Sequence, residues 1–287
     1  MANTRITLSL FLCFCTHLVL GQFSYEHRLN MRDDNVSVYK LVKSGSTYGH
    51  ATFLWRGKSN GTLKAKYFAS GNTYEAFKSW KGQKDIVLLS SGAYSNGFSY
   101  NSIPIGLCVD NGRIVNRKIE DDKDALVIVE AVGGVRVSDI DLCDLTLASL
   151  NRTICPRRDK TTLLSWGEDE YATIFQTHLL AFKNTLRISS YNSDKSSATR
   201  RFLVLGFIEG SLFHAVFDIT RSMSLYDAAS DVLNSLGGAN VIAVLNLDTG
   251  GNNIYESYND YGSKISYLEG TKTPANATNL LVYYYDN

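Results

Sequence analysis

Asp248 is the residue of this chain best placed to do chemistry, because it stands alone in a glycine-rich loop directly behind an apolar run. The run is Val241-Ile242-Ala243-Val244-Leu245, and the loop reads Asn246-Leu247-Asp248-Thr249-Gly250-Gly251-Asn252-Asn253. A carboxylate at a strand end can stabilise a developing cation or activate a water. Gly250 and Gly251 would let backbone approach a ligand closely, and Asn252 and Asn253 offer amides to hydroxyl groups. Two arginines, Arg200 and Arg201, precede a second apolar run, Phe202-Leu203-Val204-Leu205-Gly206, and either could grip an anion with a bidentate fork. Each pattern has a structural reading beside the chemical one. An Asp before Gly-Gly also forms turns, and paired arginines before a strand also serve as surface charges. His178 lies in an otherwise apolar run and reads as a half-buried histidine rather than a base. Glu130 is either a second carboxylate or a solvated rim position. No spacing supports a Ser–His–Asp triad. A single carboxylate with Asn neighbours is too few for a calcium or magnesium site, so no cofactor is assigned, and a divalent cation at Asp248 stays open.

The elements that must position these residues are short strands and a few helices. Phe202 to Gly206 and Leu212 to Ile219, joined by Glu209-Gly210, read as a hairpin. Ser224 and Asp227 make a helix start, and Leu225, Ala228, Ala229, Val232, Leu233 and Leu236 share one helical face. Gly237-Gly238 ends that helix. The continuous run 241–245 is expected of a strand covered on both faces. Asn111-Gly112, between Pro104–Val109 and Arg113–Val115, is the strongest hairpin signal. Tyr74 to Trp80 suits a short helix, Asp85 to Leu89 a buried strand leading into Ser90-Ser91-Gly92, and Leu280 to Tyr285 a closing strand. Residues 189–199 form a polar insert. The pattern predicts a strand-rich mixed sheet with a few packed helices, α+β in class and one main domain: residues 22–80 as its strand-rich N-terminal region, 81–287 as the remainder.

Composition sets the compartment and the partners. A net charge of +1 and 20% charged residues over 287 positions exclude a nucleic-acid binder driven by bulk electrostatics. Residues 1–21, with Arg5 ahead of the apolar stretch Ile6 to Leu20 and small Gly21 at the end, read as a signal peptide cleaved before Gln22. A secreted or periplasm-facing protein with no membrane span after cleavage follows. The mature chain keeps Cys108, Cys143 and Cys155; Cys143 with Cys155 is the better pair, and three reduced thiols are the alternative. Sequons stand at Asn35, Asn60, Asn151 and Asn276. The 17 Tyr suit sugar stacking or self-association, and equally an ordinary strand-rich fold.

Taken in order, Ser90-Ser91-Gly92-Ala93-Tyr94, Pro104-Ile105-Gly106-Leu107, Asn111-Gly112, Gln176-Thr177-His178-Leu179-Leu180, Arg200-Arg201, Ser224-Leu225-Tyr226-Asp227-Ala228-Ala229 and Asn246 to Asn253 resemble the phosphodiester glycosidase family over roughly residues 85–258. Members carry an Asn-Ala-Gly-aromatic turn, a Pro-x-Gly-Leu strand, a Gln-Ser-x-x-Leu segment and a Leu-Asp-Gly-Gly-Gly-Ser-Ser loop. The resemblance implies cleavage of a sugar-phosphate diester, whose phosphate leaving group needs little protonation. It places Asp248 and Arg201 as catalytic residues and Arg200, Gln176, Ser91, Gly92, Gly250, Gly251 and Asn252 against the substrate. The chain departs from the family at Ser90 or Ser91 in place of Asn, at Thr249 in place of Gly, and at Asn252-Asn253 in place of Ser-Ser. Two expectations follow. The first, which the presence of Asp248, Gln176 and the arginines favours, is a secreted hydrolase of glycosyl phosphodiesters acting on glycans or envelope polymers. The second, which the departures favour, is a non-catalytic relative that binds glycans or serves structurally.

Overall fold

Period-two alternation over most of the chain becomes nineteen strands among the described residues, which in this computed structural model are 22–32, 35–56, 62–69, 71–82, 84–97, 99, 102–189 and 198–286. Strands β1 (Ser24–Arg32), β2 (Val36–Lys43), β3 (Ser46–Trp55) and β4 (Lys64–Phe68) precede helix α1 (Thr73–Lys81). Seven strands follow: β5 (Asp85–Ser90), β6 (Cys108–Asp110), β7 (Arg113–Asn116), β8 (Ala125–Val129), β9 (Val135–Asp139), β10 (Leu145–Leu147) and β11 (Arg152–Ile154). After α2 (Lys160–Asp169) come β12 (Thr173–Phe182), β13 (Thr185–Leu186), β14 (Ala198–Ile208) and β15 (Ser211–Met223). Helix α3 (Leu225–Ser235), β16 (Asn240–Leu247), β17 (Tyr255–Tyr258), β18 (Lys264–Glu269) and β19 (Leu280–Tyr285) complete the order. The signal-peptide expectation falls at 1–21, outside the described residues, as does most of the insert expected at 189–199.

The strands make two main sheets. One has twelve strands, with β1-β2-β3-β15-β14-β16-β12-β6-β7 in order and β8, β9 and β13 attached through β12. The other has five, in the order β18-β17-β5-β19-β4, while β10 and β11 pair by themselves. All the strand ladders are antiparallel, and an isolated parallel bridge joins Ile254 to Lys272. This is the strand-rich α+β arrangement that the alternation requires.

Burial stacks the sheets between helices. Val216 and Leu245 of the large sheet pack against Tyr67, Leu88 and Tyr283 of the small one, and Tyr67 stacks on Phe175 with centroids 4.2 Å apart. The opposite face of the large sheet carries Phe202, Phe217 and Val244, covered by Ala228, Ala229 and Val232 of α3. Farther along that face, Leu126, Ile128 and Ile174 meet Leu163 and Trp166 of α2. The outer face of the small sheet is closed by Phe77 of α1 on Phe68 and Val282. Each layer removes apolar area from water at roughly 25 cal/mol per Å².

Local signals account for the elements next to the site. Glu209 (φ 48°) and Gly210 (φ 77°) both take left-handed backbone at the tip of the β14–β15 hairpin, as a tight primed turn requires. Ser224 Oγ accepts from the Asp227 amide at 3.0 Å and caps α3. β16 is buried on both sides because Val244 serves the helix face and Leu245 the sheet interface.

Cys143 and Cys155 form a disulfide with Cα atoms 3.9 Å apart across a separation of 12 residues. Among the described residues Cys108 is the free thiol, buried, and burial pushes its ionisation up. Reducing the disulfide is expected to cost about 3 kcal/mol, the loop-closure value for a ring of this size. Melting with and without reductant should show a drop of roughly 6–12 °C for a domain of this length; unchanged melting would mean that β10–β11 pairing alone holds the loop. Among the sequons, Asn35 is buried, Asn151 and Asn276 are exposed, and Asn60 lies outside the described residues. No helix among the described residues is long and apolar enough to cross a membrane.

Candidate functional site

Register decides which of the two arginines faces what. Side chains alternate along a strand, so adjacent Arg200 and Arg201 point to opposite faces of the large sheet. Arg201 is level with Leu247 of β16 and Asp218 of β15, on the face towards the small sheet. Its Nε and Nη2 donate to Asp218 Oδ1 at 3.0 and 2.7 Å. Nη1 donates to the Ile254 carbonyl at 2.9 Å, and Nη2 also to Asn253 Oδ1 at 2.9 Å. The guanidinium lies 4.5 Å over the Tyr255 ring, and the residue is 1% exposed. Arg201 thus joins the two sheets, with four of its five donors turned to named protein partners. Arg200 lies on the helix-covered face, where its Nε donates to the Met223 carbonyl at 3.2 Å.

Asp248 sits where β16 leaves the sheet, with its amide donating to the Gly92 carbonyl at 3.0 Å. Its Oδ1 accepts from the Gly250 amide at 2.9 Å and its Oδ2 from Asn252 Nδ2 at 3.2 Å. This is the geometry of an Asp that shapes its own turn, and the residue is 4% exposed. Ser91 Oγ donates to the Asn252 carbonyl and accepts from the Ile254 amide at 3.0 Å. Gly92 donates to Asn279 Oδ1 at 2.9 Å, and a Cβ there would come within 2.5 Å of Tyr67 Cε2, so this glycine is required by packing. Gly250 and Gly251 are exposed at the loop tip. Asp248, Ser91, Gly92 and Asn252 therefore do come together, and Arg201 reaches the same loop through Ile254 and Asn253. They are joined to one another rather than arranged around an open space. A shallow surface recess with no enclosed room for a ligand lies elsewhere, between Met31, Val36, Val87 and Tyr258.

Gln176 is fully buried and clamps two segments onto β12. Its Oε1 accepts from the Leu107 and Glu120 amides at 2.6 and 3.1 Å, and its Nε2 donates to the Glu120 and Lys123 carbonyls at 3.2 and 2.9 Å. That saturates the amide and positions the loop carrying Lys123.

Beyond this clamp lies a second polar group that the sequence reading left without a role. Asn246 Nδ2 donates to the Tyr94 hydroxyl at 2.6 Å, and the His178 and Tyr94 rings stand edge to face with centroids 5.5 Å apart. Lys123 Nζ stands 5.9 Å from the centroid of the same ring. Tyr94 and His178 are half-buried. Burial, then Lys123, draws the His178 pKa below its ordinary value against the opposing pull of Asp122, so the imidazole is neutral at neutral pH. His178 is the half-buried histidine that its apolar run suggests. Lys123 escaped notice because it sits in Glu120-Asp121-Asp122-Lys123-Asp124, a charge run that normally marks a solvated surface. Among the described residues, no three or more His, Cys, Asp or Glu side chains are gathered as a metal ion would need.

No protein-family model matches the chain, and no curated protein matches it. Among solved structures, a hypothetical protein from Synechocystis superposes with a TM-score of 0.48 at 10% sequence identity, over 88% of this chain and 62% of that one. The chain therefore spans less than two thirds of that neighbour's length.

Proposed function

We propose that the chain is a secreted carbohydrate-binding protein, a relative of the phosphodiester glycosidases that binds glycans without cleaving them. The observation that carries this reading is the state of Asp248, whose two carboxylate oxygens are both engaged by its own loop at 4% exposure. A nucleophile or general base must reach the reacting atom, and here the carboxylate is occupied in holding Gly250 and Asn252. Arg201 supports the same reading, since its guanidinium is matched by buried Asp218 rather than offered to a phosphate. The departures at Ser91, Thr249 and Asn252 fall in this loop system. The Cys143–Cys155 disulfide suits an oxidising compartment and so supports secretion.

Hydrolysis of a panel of sugar-1-phosphodiesters by the mature chain, beside Asp248→Asn, tests the reading. Neither protein is expected to turn over any substrate, while wild type retains glycan binding. Turnover by wild type that disappears in the variant would establish the hydrolase instead.

A further inference from the structure

We propose that Lys123, His178, Tyr94 and Asn246 form a binding site for the oxyanion of an acidic saccharide, a carboxylate or phosphate carried on a sugar ring. This deepens the carbohydrate-binding reading and rests on it.

The position of the group is set by the sheet. His178 lies on β12 between Ile174, which packs under α2, and Leu180, which packs under α3. Asn246 is its cross-strand partner on β16. The polar side chains thus occupy the gap between the two helix-covered apolar patches, on the face opposite Arg201.

Charge balance points to the ligand. Several buried charges have close partners of opposite sign: Arg201 has Asp218, Asp139 has Arg187 at 2.5 Å, and Glu256 has Lys264 at 2.7 Å. Lys123 has a partner more exposed than any of these. Its side chain is 6% exposed, and its salt bridge is to the neighbouring Asp122 at 2.9 Å, a carboxylate whose own side chain is 67% exposed. A pair with one partner in water is screened and worth little, while the ammonium still bears the cost of leaving water. One of its three N–H groups is spent on Asp122 Oδ1, and the ammonium stands beside the Tyr94 face. An incoming oxyanion would supply the desolvated counter-charge that the protein does not.

The neighbours suit a sugar. A neutral imidazole exchanges hydrogen bonds with hydroxyls without adding charge. The half-exposed Tyr94 ring offers an apolar face against which a pyranose can lie, and Asn246 fixes its hydroxyl. Gln176, by holding the Lys123 carbonyl, fixes the backbone of the loop that carries this lysine.

The test is calorimetric titration of the mature chain with glucuronate, glucose 6-phosphate, glucose and inorganic phosphate, for wild type, Lys123→Met, Lys123→Arg and Asp122→Asn. Both acidic sugars are expected to bind wild type roughly tenfold or more tighter than glucose, the scale of one charge-assisted contact. Lys123→Met should erase that preference without changing glucose binding, Lys123→Arg should keep it, and Asp122→Asn should sharpen it by removing the competing carboxylate. Melting curves verify that each variant folds. Acidic sugars that bind Lys123→Met as tightly as wild type would overturn this site while leaving the carbohydrate reading intact. Lysine-dependent phosphate binding with no sugar bound would overturn the carbohydrate reading, and this assignment with it, in favour of a bare anion site.

Discussion

Arg201→Met is expected to destabilise the protein by roughly 3–5 kcal/mol, the cost of removing one partner from a buried ion pair. The variant leaves Asp218, 7% exposed, without the guanidinium that gives its Oδ1 two hydrogen bonds. It also strips a donor from the Ile254 carbonyl and from Asn253, in the segment that joins the two sheets. Truncating both partners, as in Arg201→Met with Asp218→Leu, should recover much of the loss, because the uncompensated charge is then gone. Urea unfolding of the single and double variants measures this coupling. The experiment also separates the two roles open to Arg201. A phosphate clamp would lose ligand affinity at unchanged stability, and an unaltered unfolding midpoint in Arg201→Met would rule out a structural role for the Arg201–Asp218 pair.

His214 governs the second large effect, an acid lability. It is fully buried between the sheets, with Nδ1 2.9 Å from the Tyr283 hydroxyl and Nε2 without a hydrogen-bond partner among the described residues. Burial, with a smaller push from Arg56, lowers its pKa to about 3. In the unfolded chain the imidazole titrates near 6.5. Between these values the unfolded state binds a proton that the native state refuses, so stability is full above pH 6.5 and falls as pH drops towards 3. The slope is about 1.4 kcal/mol per pH unit, amounting to roughly 4 kcal/mol over the window. His214→Gln keeps a partner for Tyr283 and removes the titration. Its stability should therefore decline less steeply than that of wild type between pH 6 and pH 4, and parallel profiles for the two proteins would refute the assignment.

Several elements were legible in the sequence because their signals are local. The capping Ser224 and the spacing of Leu225, Ala228, Ala229 and Val232 specify α3 and its buried face without reference to any other part of the chain. Asn111-Gly112 and Glu209-Gly210 announce hairpins because only certain residues tolerate left-handed backbone. The apolar run into β16 foretells a strand covered on both faces, and the loop behind it is where Asp248, Ser91, Gly92 and Asn252 meet.

What the loop does was not legible. Whether a carboxylate is free or consumed depends on a hydrogen bond from Gly250 and another from Asn252, and a motif cannot show either. The choice between Arg200 and Arg201 turns on pairing register, since a shift of one residue exchanges the two faces of a strand. Gln176 reads as a polar residue fit for a ligand until the Leu107, Glu120 and Lys123 backbones are seen around it. Lys123 is the one buried member of a run of charges, and the Tyr94 and Gln176 it meets are distant in the sequence. The sequence by itself determined the class of fold, its hairpins and its capped helix, because those follow from short-range backbone preference and periodicity. Only the tertiary structure decided which charges are buried and which groups they pair with, because burial and partnership are set by strands far apart in the chain.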